Sequence, residues 1–297
     1  MLLRLTNNGS RITSSMPRID LHLHTTYSDG SLPPAKVLTL AQKVGVSALA
    51  ITDHDIVDGI PESIEAGARL GIEVIPGVEI SSRYDDSELH ILGYFLDWRD
   101  PVLSTRLAQL RASRHERNPR IIQKLNELGL ALTYEEVKAL AGTDSVGRPH
   151  IARVLMEKGY VRSAKEAFDR YLAQDKPAYV PRQLPEPAEA IAWIRAARGI
   201  PVLAHPTWVK ESAEGLYRLC EKLKAEGLMG IEVHYSTHKP QQTAEYLNTA
   251  KRLDLLVTGG SDFHGLTKPD IEVGVGRGGL KVPEKLLEPL KKAASIH

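Results

Sequence analysis

Seven short runs of apolar residues, each bounded by turn-forming residues, are spaced along the chain. They lie at residues 19–23, 48–52, 74–80, 89–95, 201–204, 230–233 and 255–259. Short runs that are apolar throughout, rather than alternating with polar residues, are typical of parallel strands buried on both faces. The pattern therefore predicts seven buried parallel strands.

Most of these runs are followed by a segment in which apolar residues recur at helical spacing. The predicted helices are residues 33–44, 62–70, 213–225, 241–253 and 283–292. Alternating strands and helices indicate βα units. Seven units favour a closed or nearly closed α/β barrel, although an open, doubly wound sheet has the same alternation.

A long segment between the fourth and fifth predicted strands has no strand pattern and is rich in helix formers. Its core-facing positions are Ile121, Ile122, Leu125 and Leu128, followed by Ile151, Val154 and Leu155 behind Pro149, a residue typical of helix starts. Residues 176–189 contain four prolines and are predicted to be the return linker. We therefore expect a barrel of residues 17–100 and 190–297, an inserted helical subdomain of residues 101–189 that caps the substrate, and a flexible tail of residues 1–16.

Composition narrows the possible functions of this 297-residue chain. Lys and Arg total 38 and Asp and Glu total 37, so the net charge of +1 gives no general attraction to nucleic acid or anionic membranes. The single cysteine, Cys220, excludes an intramolecular disulfide and a cysteine-only metal site. We see no export signal and no run of about 18 apolar residues. The sequence thus predicts a cytoplasmic protein, and histidine must supply most of any metal site.

Histidines and carboxylates stand at or near the ends of the predicted strands. They are His22, His24, Asp29, Asp53, His54, Asp55, Glu79, His90, His205, Asp262 and His264. In a parallel barrel the carboxyl ends of all strands open on one face, so these side chains should converge there. Taken alone, each has an ordinary explanation, such as a hydrogen-bonded core histidine or a solvated loop acid. Together they indicate a metal site, because burying so many unpaired ionisable groups would cost several kcal/mol each.

The motifs HLHTTYSDGS, ITDHD, GVEIS, LHILGY, LAHP and GGSDFHG resemble the metal-binding motifs of the PHP (polymerase and histidinol phosphatase) family. The resemblance covers about Pro17 to Pro289 and is strongest to the branch of stand-alone nucleotide phosphoesterases. It implies a distorted (β/α)7 TIM-like barrel that holds three metal ions. By this resemblance, the first ion is held by His22, His24, Glu79 and Asp262, the second by Glu79, His90 and His205, and the third by Asp29, His54 and His264. Asp53 and Asp55 would orient these ligands.

Ligands of imidazole and carboxylate without thiolate suit Mn²⁺, Fe²⁺ or Zn²⁺, and we favour Mn²⁺. Adjacent metal ions acidify a bound water and stabilise the entering and departing oxygens of a displacement at phosphorus. We therefore expect phosphoester hydrolysis by a metal-bound hydroxide. The catalytic residues would be His22, His24, Glu79, His205 and Asp262.

A second set of residues is predicted to bind the substrate. Arg148 begins a predicted helix in the motif GRPH, where free backbone N–H groups and a guanidinium can hold a phosphate. The other candidates are His150, His234, Tyr235 and His238, with His234 and His238 as possible donors to the leaving group. Arg114 and Arg117 lie on one predicted helical face, which we expect to be a solvated surface.

GRPH and EVHYSTH resemble the family members that remove the 3'-phosphate from nucleoside 3',5'-bisphosphates, and this is the predicted activity. A 5'–3' exoribonuclease acting on short 5'-phosphorylated RNA and a histidinol phosphatase are the alternatives, and a non-catalytic metal-binding module or a metal-dependent amidohydrolase would be a different class. The balanced charge favours a small phosphorylated nucleotide or a short RNA 5' end over a long polymer. We expect no DNA duplex, membrane or obligatory protein partner.

Overall fold

The structure is a computed structural model of the chain, which describes residues 18–85, 87–142, 145–209 and 211–296. The predicted tail of residues 1–16 lies outside the described residues. Among the described residues, no helix combines the length and hydropathy that a membrane span requires.

Seven strands form a single sheet whose spatial order follows the sequence. They are β1 (Arg18–Leu23), β2 (Val46–Ile51), β3 (Glu73–Tyr84), β4 (Ser87–Tyr94), β5 (Ile200–Leu203), β6 (Gly230–Tyr235) and β7 (Leu256–Gly260). The chain beyond β7 returns to β1, where Phe263 bridges Leu23 and the Asp262 N–H donates to the His22 carbonyl at 2.8 Å. The sheet is therefore nearly closed, and the predicted α/β barrel is confirmed.

The direction of β4 differs from the prediction, because β4 runs antiparallel to both β3 and β5. Only two residues separate β3 from β4, and a connection this short forms a hairpin, since a parallel crossover needs a dozen or more residues. The prediction of all-parallel strands was wrong at this position. As a result, His90 lies near the beginning of β4, at the same end of the barrel as the carboxyl ends of the parallel strands.

The helices follow most of the strands and cover the barrel. They are α1 (Pro34–Lys43), α2 (Ile60–Leu70), α3 (Pro101–Glu127), α4 (Tyr134–Ala141), α5 (Arg148–Glu157), α6 (Ala164–Ala167), α7 (Pro187–Ala196), α8 (Ala213–Ala225), α9 (Pro240–Arg252) and α10 (Leu287–Ala294). A π-helical turn, Phe168–Leu172, follows α6 directly. The first turn of α3 is capped by Asp100, whose carboxylate accepts from the Leu103 N–H at 2.7 Å.

Helix α3 joins two separate clusters of buried apolar side chains. Its first half contributes Leu103, Leu107 and Leu110 to a cluster shared with β3, β4 and α7. Its second half contributes Ile121 and Leu125, among others, to a cluster that contains α4, α5 and the π-helical turn. Leu128, which we predicted to face this core, is 45% exposed instead, because α3 has ended at Glu127. The inserted helices thus have an apolar core of their own.

Candidate metal centre and substrate cavity

The structure brings the predicted ligands together at one mouth of the barrel. They come from β1 (His22) and the loop after it (His24 and Asp29), from β3 (Glu79) and β4 (His90), and from the loops after β2 (His54), β5 (His205) and β7 (Asp262 and His264). All are buried except His54, whose side chain is 13% exposed. Side chains as distant in sequence as His22 and His264 therefore share one buried cluster.

Glu79 lies at the centre of this cluster. Its Oε2 atom is 3.1 Å from Nε2 of both His22 and His24 and 3.3 Å from Nδ1 of His54. Its Oε1 atom is 2.7 Å from Nδ1 of His90 and 2.8 Å from Nε2 of His205. Both oxygens of one carboxylate thus face imidazole nitrogens from different strands, as expected of a bridging ligand.

Asp262 and Asp29 complete the cluster on the side of the loop that follows β1. The Oδ1 atom of Asp262 lies 3.3 Å from Nε2 of His24 and 3.3 Å from Nδ1 of His264. The Oδ1 atom of Asp29 lies 3.2 Å from Nε2 of His264, and its Oδ2 atom lies 3.9 Å from Nε2 of His54. His24 and His264 therefore connect the environment of Asp262 to that of Asp29.

The donor atoms fit divalent cations. Three groups have ligand atoms within 4.8 Å of one another: His22, His24, Glu79 and Asp262; His24, Asp29, His54 and His264; and His54, Glu79 and His90. Nε2 of His24 and Nδ1 of His54 are buried without a hydrogen-bond partner, although both lie close to Glu79. Imidazole nitrogens and carboxylate oxygens are ligands that Mn²⁺, Fe²⁺ and Zn²⁺ accept. The cluster can thus hold more than one ion.

The electrostatics of the cluster reflect the competition between burial and charge. Burial of the His24 ring disfavours its charged form, but Asp262 and Glu79 outweigh burial and raise the pKa of His24 to about 9. In the same way, Glu79 outweighs burial and raises the pKa of His90 to about 9. At His54, burial prevails and lowers the pKa to about 3. Because a cation binds imidazole in its neutral form, metal binding here is coupled to proton release.

Groups behind the cluster fix the ligands in place. Glu232 of β6 lies 2.9 Å from Nδ1 of His22, and its second oxygen accepts from the His205 N–H at 2.7 Å. The Tyr235 hydroxyl donates to Oδ2 of Asp262 at 2.7 Å. These buried hydrogen-bond partners therefore direct Nε2 of His22 and Oδ1 of Asp262 into the cluster.

Two of the ligands have an unusual backbone conformation. His205 has φ 26° and Asp262 has φ 57°. Each lies two residues after the end of a strand, β5 and β7 respectively. Positive φ costs a residue with a side chain of the order of 1 kcal/mol or more and persists only where the surroundings impose it. The barrel therefore holds these side chains in directions that a relaxed loop would not give them.

A cavity of about 350 Å³ opens between the cluster and the inserted helices. Four of the predicted ligands line it: Asp29, His54, His90 and His264. The opposite wall is basic and includes Arg114 and Arg117 of α3, Arg148 of α5 and Arg182 of the return linker. The cavity thus has metal-ligating groups on one side and guanidinium groups on the other.

The arginines differ in how their charge is balanced. Asp55 accepts from Arg114 and, at 3.2 Å, from Arg182, while Glu88 accepts from Arg148 at 2.9 Å. Arg117 is 4% exposed and donates to the neutral side chain of Asn118. Among the described residues, no carboxylate pairs with Arg117, and burial together with Arg148 and Arg182 lowers its pKa well below the usual value. The wall therefore carries a buried positive charge suited to an anion.

Comparison with known proteins places this architecture in a family. The family model of the PHP domain matches residues 20–178, which covers β1 to β4 and most of the inserted helices. The chain belongs to the PHP family. The resemblance that the strand-end motifs indicated is thereby confirmed.

Curated PHP relatives match over nearly their whole length. A 5'-3' exoribonuclease from Haemophilus influenzae is 37% identical over 247 residues, which cover 83% of this chain and 90% of the relative. A 3',5'-nucleoside bisphosphate phosphatase from Chromobacterium violaceum is 34% identical over 260 residues, which cover 87% of this chain and 91% of the relative. A solved structure from Bifidobacterium adolescentis, assigned as a metal-dependent phosphoesterase, has a TM-score of 0.84 and 31% identity, with 94% of this chain and 97% of that chain covered.

The predicted orienting residues of this PHP chain contact groups other than the ligands. Asp53 accepts from the Thr25 N–H at 2.7 Å and from the Ser28 hydroxyl at 2.5 Å, so it shapes the loop that carries His24 and Asp29. Asp55 binds Arg114 and Arg182 rather than an imidazole. Glu232 of β6, which the sequence analysis did not single out, contacts the ligand His22 directly from behind.

The predicted substrate residues lie in different places. Arg148 lines the cavity. His150 accepts from the Gly147 N–H at 3.0 Å through Nδ1, which closes the first turn of α5. His234 is half-buried, Tyr235 binds Asp262, and Nδ1 of His238 lies 2.8 Å from the Val233 carbonyl. None of His150, His234, Tyr235 and His238 lines the cavity, so the structure does not bring them to it.

The cavity also contains residues that sequence reasoning missed or misjudged. Arg114 and Arg117 are buried at its wall, so the expectation of a solvated surface was wrong. Arg182, Lys268 and Trp208 line it as well and were not predicted. Lys268 binds Oδ2 of Asp262, six residues earlier in the chain. Lys268 could have been predicted, because it is a cationic residue that closely follows the SDFH motif. Arg182 could not, because it lies in a linker without any motif.

Proposed function

We propose that this chain is a metal-dependent phosphoesterase that removes the 3'-phosphate from nucleoside 3',5'-bisphosphates. The observation that carries the proposal is the cavity itself, with a cluster of histidines and carboxylates that could hold metal on one wall and arginines on the other. A substrate with two phosphates can place one against each wall. The similarity to the phosphatase from Chromobacterium violaceum supports this choice of substrate.

The cluster would hold three ions, for which we favour Mn²⁺ over Fe²⁺ or Zn²⁺. In this proposal His22, His24, Glu79 and Asp262 hold the first, Glu79, His90 and His205 the second, and Asp29, His54 and His264 the third. Such ions acidify a bound water and neutralise charge on phosphate oxygens. By holding these ions, His22, His24, Glu79, His205 and Asp262 would fix the positions from which the ions act on the reacting phosphate.

The remaining cavity residues hold the substrate and offset its charge. Arg148 and the uncompensated Arg117 would bind the second phosphate through charge-assisted hydrogen bonds. Lys268, whose ammonium contacts Asp262 at the edge of the cavity, would stabilise negative charge that develops on the phosphate being transferred. His234 and His238, the predicted proton donors to the leaving group, lie outside the cavity lining.

A 5'–3' exoribonuclease activity is the second candidate, because the relative from Haemophilus influenzae carries that name at 37% identity. A 5'-terminal nucleotide of RNA contains the same arrangement of a 5'-phosphate and a 3'-linked phosphorus. The same cavity could therefore bind either a small bisphosphate or a short RNA 5' end. We assign the activity to the cytoplasm, in keeping with the single buried cysteine.

The test is one substrate panel with Mn²⁺ present. It comprises adenosine 3',5'-bisphosphate, 3'-AMP, 5'-AMP, a short 5'-phosphorylated RNA and histidinol phosphate, and the product is inorganic phosphate or a mononucleotide. We expect a strong preference for the bisphosphate over either monophosphate and loss of turnover in a folded Glu79→Ala variant. Equal rates on all phosphates would contradict recognition of the second phosphate, and a faster reaction with RNA would favour the exoribonuclease.

A further inference from the structure

Trp208 has an exposed aromatic surface at the cavity, which is unusual for so large an apolar side chain. It ends the 3₁₀ turn Pro206–Trp208, directly after β5, and remains 49% exposed. One side of the indole stacks on the His205 ring, with centroids 4.1 Å apart and planes inclined by 32°. The ring is thus fixed from behind by a ligand of the proposed metal centre, while about half of its surface stays accessible.

Trp208 lies between groups that would contact a nucleotide. The indole lies beside the metal-ligating wall, since its centroid is 6.2 Å from that of His90. Lys268 lies 5.6 Å from the ring centroid and lines the same cavity as the arginines opposite. In a nucleoside 3',5'-bisphosphate the ribose joins the two phosphates and carries the base to one side, so a half-exposed aromatic ring in the cavity lining provides an apolar contact for the base.

We infer that Trp208 is the stacking platform for the nucleobase of the substrate, an inference that rests on the proposed nucleotide phosphoesterase function. Stacking suits any base, because every base has a π-face. Trp208 is held in place by His205, so the platform is rigid before the substrate binds. The cavity therefore selects nucleotides by two phosphates and one stacked base, without distinguishing strongly among the four bases.

The kinetic test compares a substrate with a base and one without. We expect Trp208→Ala to raise KM for adenosine 3',5'-bisphosphate by about 5- to 150-fold, the range that loss of base stacking gives. KM for ribose 3,5-bisphosphate, which has no base, should not change, and kcat should stay close to the wild-type value for both substrates. Trp208→Phe should restore most of the lost affinity, because phenylalanine keeps a π-face.

A binding measurement provides a readout that does not depend on turnover. Adding 5'-AMP should quench part of the tryptophan fluorescence of the wild-type protein with Mn²⁺ present. Trp208→Phe should lose that quenching, whereas Trp98→Phe should keep it, because Trp98 packs against the barrel core and does not line the cavity.

The outcomes separate the inference from the function on which it rests. Equal loss of kcat on both substrates, with KM unchanged, would overturn the stacking platform and show that Trp208 only supports His205. Unchanged quenching in Trp208→Phe would overturn it as well. Failure of the wild-type enzyme to release phosphate from any nucleotide would instead contradict the proposed function, and the fluorescence titration would still decide whether Trp208 contacts a base.

Discussion

The Nδ1 atom of His22 lies 2.9 Å from Oε1 of Glu232, although 210 residues separate the two in the sequence. The other oxygen of Glu232 accepts from the His205 N–H at 2.7 Å. One buried carboxylate therefore orients the ring of one proposed ligand and the backbone of another. Partners of this kind fix the tautomer and direction of a ligating imidazole.

Glu232→Gln should weaken metal binding without removing a proposed ligand. The amide keeps one acceptor but presents its NH₂ group to one of the two donors, so His22 or His205 loses its partner. We expect Mn²⁺ affinity to fall by about 10- to 100-fold, measured by calorimetric titration of the metal-free protein. Glu226→Gln, at an exposed position after α8, is the matched control and should bind Mn²⁺ like the wild type. Wild-type affinity in Glu232→Gln would contradict the role of Glu232.

Gly260→Ala should destabilise the protein through the contact between β7 and β1. A Cβ atom at position 260 would lie 2.3 Å from Cβ and 2.4 Å from the backbone N of His22. The strands must move apart, and overpacking of this kind typically costs about 1–3 kcal/mol of unfolding free energy. Urea denaturation measures the loss. In Gly279→Ala, the control, no atom lies within 4 Å of the added Cβ, so comparable stability of the two variants would contradict the prediction.

The positions of the ligands could be predicted from the sequence because barrel geometry is repetitive. A parallel strand that is followed closely by His205 or Asp262 delivers that side chain to the same mouth as every other parallel strand. The exception, β4, shows the limit of this reasoning. A run of apolar residues predicts a buried strand but not the direction in which the strand runs in the sheet. His90 reaches the mouth only because the β3–β4 hairpin reverses the chain.

The cavity wall opposite the ligands could not be predicted in the same way. Arg117 continues the buried face of α3 that Leu107 and Leu110 begin, whereas Arg120 lies off that face and is exposed. Helical spacing therefore marks the face, but whether a charged side chain on it meets solvent or a cavity depends on how the inserted helices pack against the barrel. Arg182 lies outside the helices and strands, and Trp208 lies in one short 3₁₀ turn. No hydrophobic pattern therefore predicts either of them.

Arg117→Met should change ligand affinity and protein stability in opposite directions. The guanidinium is buried without a carboxylate partner, so an apolar side chain of similar length removes an unfavourable charge, and the free energy of unfolding should not fall. Because a hydrogen bond to a charged group contributes about 1.5–3 kcal/mol, KM for adenosine 3',5'-bisphosphate should rise by roughly 10- to 150-fold. KM for 3'-AMP, which lacks the second phosphate, should be unaffected.

Arg120→Met is the control for this substitution, since Arg120 lies on the same helix but is exposed. It should leave both KM values unchanged. An equal increase in KM for 3'-AMP and the bisphosphate in Arg117→Met would show that Arg117 does not bind the second phosphate.

Replacing Leu125 by alanine should lower the stability of the protein, whereas replacing Leu128 by alanine should not. Leu125 is fully buried among the inserted helices, whereas Leu128 is 45% exposed. We expect Leu125→Ala to lower the free energy of unfolding by about 2–5 kcal/mol and Leu128→Ala to change it by less than about 0.5 kcal/mol. Urea denaturation followed by circular dichroism compares the two. Similar losses would mean that α3 packs differently around its last turn.

Cys220 should be unreactive in the folded protein and should make stability fall at high pH. Burial against the barrel core disfavours the thiolate and raises the pKa of Cys220 to about 12. At pH 8 the native thiol is therefore protonated, and a disulfide reagent should label it only in urea, where its pKa returns to about 8.5.

The native state retains the proton between pH 9 and pH 12 while the unfolded state loses it, so the contribution of Cys220 to stability decreases across that window. Cys220→Ala should lack this part of the pH dependence, and rapid labelling of the native protein at pH 8 would contradict the burial of the thiol.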